Sequence, residues 1–173
     1  VLVGHSYGGS VISEAAYGKP NVKALVFVAA FAPEAGETAI GLSGKFPGST
    51  LGPTLDTAVP LTSGGNDLYI KQDKFPEQFA EDVPLAAARV MAAAQRPIAD
   101  AALGEQSTAP AWKTIPSYFV YGTRDKNIPP AAQAFMAERA HSVKTVVIEG
   151  ASHVVMVSKP EVVADLIIQA AAR

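Results

Sequence analysis

The chain has no cysteine, which excludes disulfides and thiolate chemistry and leaves its redox compartment open. Basic charge is not concentrated anywhere: 14 Lys and Arg stand against 16 Asp and Glu, for a formal net charge of -2 at pH 7. Nothing invites a polyanion, so no nucleic-acid partner is expected. Long apolar runs are missing too. The longest, Ala24 to Ala32, falls far short of the roughly 20 residues that cross a bilayer, and no membrane partner is expected. No His-Glu-x-x-His pair or cysteine cluster offers a metal site, and no cofactor is expected. A Gly-rich turn near the start lacks the Lys-Ser/Thr of a phosphate loop. There is no internal repeat, no linker between two domains and no methionine at position 1.

What is present suits one globular domain. Hydrophobic residues make up 49% of 173, enough for a sizeable core. Lys23 to Ala30 is a continuous apolar, β-branched run, the signature of a strand buried on both faces. Ser117 to Tyr121 and Val143 to Ile148 read the same way, and Val1 to Val3 is a shorter apolar run. Helical patterns cover roughly Gly8 to Tyr17, Pro129 to Ala140 and Pro160 to Ala172. Two of these open on proline, whose missing N–H is harmless in a first turn. Strands alternate with helices, so the expected class is α/β with a parallel sheet flanked by helices. Residues 33–111 break the alternation. They begin rich in Gly, Pro, Ser and Thr, then turn helical over Lys74 to Asp82, Pro84 to Gln95 and Ile98 to Leu103. The expectation is a core made of residues 1–32 and 112–173, with 33–111 inserted as a cap over the site.

Gly4-His5-Ser6-Tyr7-Gly8 is a Gly-x-Ser-x-Gly motif between the first apolar run and the first helix. That order is the context of a nucleophile elbow, a tight strand-to-helix turn that leaves little room for a Cβ beside the serine. A serine hydroxyl needs a neutral imidazole to take its proton and a carboxylate to fix the tautomer. The elbow predicts the chain order Ser, then Asp or Glu, then His. Asp125 follows the strand at Ser117, and His153 follows the strand at Val143. The ends of parallel strands are where such groups collect. Ser6, Asp125 and His153 are therefore the expected triad, with the backbone N–H of Tyr7 as an oxyanion donor. His141 sits at a helix C-terminus, where a cation suits the dipole. Asp56, Asp67, Asp73, Asp82 and Asp100 fall in the insertion, away from core strand ends. His5 is expected to shape the pocket, and apolar Phe31, Trp112 and Val154 hint at an acyl or alcohol site.

The stretches Val1 to Gly9, Ala24 to Pro33, Asp125 to Pro129 and Gly150 to His153 resemble the α/β-hydrolase superfamily. More narrowly, they resemble its branch of methylesterases, hydroxynitrile lyases and bacterial esterase-like relatives. The resemblance implies a serine hydrolase of small carboxylic esters, with Ser6 as nucleophile, Asp125 as acid and His153 as base. It also implies that this chain is the C-terminal part of a longer enzyme holding strands five to eight. Its first strand would then be an unpaired apolar edge, and its second oxyanion donor would lie upstream. A chain lacking that donor is expected to be close to inactive. Two alternatives stay open: a hydroxynitrile lyase-like enzyme, and a binding protein that keeps the triad to hold a small ligand. Val154 directly follows His153, where the lyases carry a lysine, and this favours ester hydrolysis. The expected location is the cytoplasm.

Overall fold

A computed structural model describes residues 1–172. The chain opens with β1 (Leu2–Ser6), α1 (Gly8–Ala16) and β2 (Leu25–Ala30). An excursion follows, made of α2 (Ala39–Lys45), α3 (Leu51–Thr54), β3 (Val59–Pro60), β4 (Asn66–Leu68), α4 (Phe75–Phe79), α5 (Leu85–Ala94), β5 (Ile98–Ala99) and α6 (Asp100–Gly104). After a single 3-10 turn at Ala111–Lys113 come β6 (Ser117–Gly122), α7 (Pro130–Arg139), β7 (Lys144–Ile148), α8 (Val155–Ser158) and α9 (Pro160–Ala171).

Four parallel strands form the main sheet in the order β1-β2-β6-β7. All six residues of β2 and all six of β6 are buried, as continuous apolar runs require when helices cover both faces. Alternation along the strands sorts their side chains. Leu25, Phe27 and Phe119 face one layer, where Ile12 and Ala16 of α1 meet Ala132 and Met136 of α7. Val26, Val28, Tyr118 and Val120 face the other, against Val163, Leu166 and Ala170 of α9. Phe27 and Phe119 are register partners, and their rings stack at 4.6 Å. The α/β architecture expected from the sequence is thus the one observed, but β7, read as buried like β2 and β6, is an edge strand of this sheet and none of its residues is buried. Among the described residues β1 has a strand neighbour on one side only, and Val3 on it and Val1 before it are exposed.

The excursion departs from expectation in two places. Residues 33–65, the stretch rich in Gly, Pro, Ser and Thr, contain α2 and α3 ahead of the segment expected to be helical. Thr38 caps α2, its Oγ1 accepting from the Gly41 N–H at 3.0 Å. Ile98 and Ala99, expected to start a helix, instead pair antiparallel with Leu68 and Asp67, so that β3, β4 and β5 form a second small sheet. The helix begins only at Asp100, whose carboxylate accepts from the Asn66 side chain at 2.7 Å and from the Ala101 N–H at 2.7 Å. Two carboxylate contacts fasten the ends of the excursion to the core. Glu14 on α1 accepts from the Ser107 hydroxyl and from the backbone and hydroxyl of Thr108. Glu37 receives both arms of the Arg139 guanidinium, at 2.9 and 2.8 Å.

Candidate active site

β1 delivers Ser6 to the carboxyl end of the sheet, and α1 starts two residues later. Ser6 adopts φ 55°, a left-handed conformation that costs a non-glycine residue on the order of 1 kcal/mol or more. The turn is tight on two sides. A Cβ on Gly4 would lie 2.4 Å from the Gly8 oxygen, and one on Gly9 would lie 2.1 Å from the Phe31 oxygen. Gly8, the second glycine of the motif, has open space instead, so the crowding expected around the serine falls on Gly4 and Gly9. The Phe31 N–H donates to the Ser6 carbonyl at 3.1 Å and ties the elbow to the end of β2.

Asp125 stands in the loop after β6 and is almost wholly buried. Burying a carboxylate is costly unless its oxygens are satisfied, and here each accepts twice. Oδ1 takes the N–H groups of Asn127 and Ile128 at 2.8 and 3.0 Å. Oδ2 takes the Gln133 side-chain amide at 2.8 Å and Nδ1–H of His153 at 2.7 Å. An ionised carboxylate only accepts, so the hydrogen of this contact is on Nδ1.

His153 stands in the loop after β7, on a backbone knitted to the Asp125 loop. The Arg124 N–H donates to the Ala151 carbonyl at 3.0 Å, and the Gly150 N–H donates to the Thr123 hydroxyl at 2.9 Å. The His153 carbonyl accepts from Nε2–H of His5 at 3.0 Å, and the two rings lie 4.7 Å apart. This contact joins the end of β1 to the His153 loop. Phe79 of the excursion closes over both imidazoles, edge-on to His153 at 4.8 Å. His153 Nε2 is buried and has no hydrogen-bond partner, and Ser6 Oγ does not bond to it.

The other residues flagged in the sequence lie as follows. Tyr7 occupies the N-cap of α1. Burial of the His5 imidazole, reinforced by the neighbouring His153 ring, holds its pKa down at about 3, so it stays neutral. Phe31 and Val154, expected to face a substrate, are packed side chains. Phe31 belongs to the cluster of Phe27, Trp112 and Phe119, and Val154 to that of Ile70, Phe75 and Val83. Four residues that the sequence did not single out bear on the site: Gln133, Gln78, Phe79 and Ser152. A fifth, Asp82, had been set aside as an insertion aspartate, yet it accepts a hydrogen bond from Ser152. None shows a local pattern, because each acts across a contact that only the fold creates. Among the described residues, no group of three or more His, Cys, Asp or Glu side chains is gathered that could hold a metal ion. No helix among them is long and apolar enough to cross a membrane.

A family model described as "Alpha/beta hydrolase family" matches residues 1–166. The chain belongs to this family. Solved structures of similar fold agree with the assignment. A methylesterase from Arabidopsis is 19% identical with a TM-score of 0.74, covering 99% of this chain and 69% of its own. Polyneuridine aldehyde esterase is 18% identical with a TM-score of 0.77, covering 98% of this chain and 71% of its own. The pyrethroid hydrolase PytH is 24% identical with a TM-score of 0.71, covering 99% of this chain and 70% of its own. No curated protein matches the chain in sequence. The structure thus presents a serine on a left-handed turn and a buried Asp125–His153 pair at the carboxyl end of one parallel sheet.

Proposed function

We propose that this hydrolase cleaves small carboxylic esters through Ser6, His153 and Asp125. The observation that carries the reading is the unpartnered Nε2 of a buried His153 whose Nδ1–H is committed to Asp125. A buried basic nitrogen without a donor is costly, and the hydroxyl of Ser6, chain neighbour of the His5 that touches His153, is the group that would relieve it. Ser6 Oγ attacks the ester carbonyl carbon as its proton passes to Nε2. The oxyanion that forms takes a hydrogen bond from the Tyr7 N–H at the start of α1. The intermediate collapses, the C–O bond to the alcohol breaks, and the imidazolium returns its proton to the departing alkoxide. Water, deprotonated by Nε2, then attacks the acyl-serine and frees the acid and Ser6. Asp125 stays ionised throughout and stabilises the imidazolium. The esterase and hydrolase names of the fold's relatives support an ester as substrate.

A fluorophosphonate probe and short-chain nitrophenyl esters test this. Enzyme that carries both oxyanion donors should be labelled at Ser6, and Ser6→Ala should abolish both label and turnover. Labelling that persists in Ser6→Ala would remove Ser6 from the reaction. Asp125→Asn keeps the shape but lets the ring adopt the wrong tautomer. Turnover should fall by up to about 10,000-fold, as in serine hydrolases of other folds. Undiminished turnover would take Asp125 out of the mechanism.

A further inference from the structure

We propose that Gln78 and Asp82, at the end of α4 and in the turn after it, are positioning residues that set the acid and base loops. The inference rests on the ester-hydrolase reading above and adds to it a function for the excursion.

Three contacts from one short segment converge on the site. Gln78 is buried, and its side-chain amide donates to the Lys126 carbonyl at 2.9 Å and to Asn127 Oδ1 at 3.2 Å. Asn127 replies, its Nδ2 donating to the Gln78 carbonyl at 3.3 Å. The same Asn127 supplies a backbone N–H to Asp125. Gln78 is held in turn by the Thr50 hydroxyl, which donates to its Oε1 at 2.8 Å. One residue on, Phe79 closes over the His153 ring. Three residues further, Asp82 accepts from the hydroxyl of Ser152, the buried neighbour of His153 in the chain. The segment therefore grips the carboxylate loop, covers the imidazole and grips the imidazole loop.

A role in stability alone explains Asp82 poorly. Burial works against its charge, yet the hydroxyls of Ser152 and Ser158 and nearby N–H groups outweigh it and hold the carboxyl below its ordinary pKa, an arrangement that an apolar residue would not need. A carboxylate at this place instead fixes the backbone that aims His153. Errors of about 1 Å in such aim cost up to about 100-fold in rate. The excursion is fastened here, so this part of it cannot swing open without releasing both loops.

The test compares Asp82→Ala, Asp82→Asn, Ser152→Ala, the double variant Asp82→Ala/Ser152→Ala and Gln78→Leu, at a temperature where circular dichroism shows each folded. Asp82→Ala and Ser152→Ala should each lower kcat by roughly 10- to 100-fold, with KM within about threefold. The double variant should lose no more than either single, since both break one contact. Asp82→Asn keeps an acceptor oxygen and should recover most of the loss. Unchanged kcat with only a lower melting temperature, or additive losses, would overturn the proposal. A second readout needs no turnover. The His153 Nδ1–H proton, held on a carboxylate, gives a low-field NMR resonance that Asp125→Asn should remove. It should broaden or vanish in Asp82→Ala and Gln78→Leu. If it stays sharp in both, the brace is wrong, whatever the enzyme hydrolyses. If it responds while wild-type protein neither hydrolyses esters nor takes the probe, the brace stands and the ester reading falls.

Discussion

His5 lies next to Ser6 in the chain, yet its imidazole serves the His153 backbone. Burial first, and the His153 ring second, lower its pKa from 6.5 to about 3. In the unfolded chain it takes up a proton as pH falls through 6.5, whereas in the fold it resists until near 3. Between those values the unfolded state binds more protons. Stability is therefore full above pH 6.5 and is lost as pH falls, by up to about 1.4 kcal/mol per pH unit. Asp82 and Glu14 are both held below their ordinary values by hydroxyl and N–H donors that outweigh the effect of burial, so they add to the loss only at lower pH. The window from pH 6.5 to about 5 is where His5 shows. Urea midpoints should fall across it in wild-type protein and stay nearly level in His5→Gln, which keeps a donor for the His153 carbonyl. Level wild-type midpoints would contradict a neutral, half-buried His5. This residue also marks the limit of what the sequence disclosed. The placement of Ser6, Asp125 and His153 at strand ends was legible because a tight turn and two strand ends leave local traces in glycines, prolines and apolar runs. The hydrogen bonds of Gln133 to Asp125 and of Asp82 to Ser152 leave none, since their partners are set by tertiary packing alone.

Among the elements, the contact of α1 with β2 decides how tightly the elbow is built. Gly9 faces β2: a Cβ there would lie 2.1 Å from the Phe31 oxygen, 2.9 Å from the Ala30 side chain and 3.0 Å from the Phe27 ring. Backbone cannot yield as a flexible side chain does, so Gly9→Ala should push α1 off the sheet and cost roughly 1–3 kcal/mol. Gly8 faces open space, and Ala is the better helix former, so Gly8→Ala should be neutral or stabilising by no more than about 1 kcal/mol. Urea denaturation of the two variants should separate them clearly. Equal effects would mean that the helix does not approach β2 as described. The same contrast explains which elements could be read in advance. β2 and β6 are buried on both faces and so are apolar without a break. β5 is two residues long and owes its conformation to β4, while the glycines at 41 and 44 mask α2. Local preference loses to tertiary pairing where an element is that short.

At the scale of the whole molecule, the excursion is joined to the core at its entry, its exit and its middle. Arg139 on α7 grips Glu37 near the entry and also donates to the Ala32 carbonyl at 2.8 Å. Glu14 on α1 holds residues 107–109 at the exit. Gln78 and Asp82 hold the middle. Trp112, the only tryptophan, sits where the exit rejoins the core. Its indole N–H donates to the Pro33 carbonyl at 2.8 Å, and the Arg139 guanidinium lies over its ring at 5.2 Å. Its fluorescence therefore reports the junction, while far-ultraviolet circular dichroism reports the helices of the whole chain. An excursion fastened at three places should unfold together with the sheet, so the two signals should follow one urea transition with one midpoint. A tryptophan transition that precedes the loss of helix would show a junction that opens on its own. Arg139→Lys sharpens the test, because lysine keeps the charge but loses both the paired donors to Glu37 and the planar face over Trp112. Hydrogen bonds to charged groups contribute about 1.5–3 kcal/mol each when well formed, and this pair is partly open to water. The expected loss is about 1–2 kcal/mol, with the two signals still coincident. If Arg139→Lys splits them, the three joints act separately, and the excursion is a unit that the core only tethers.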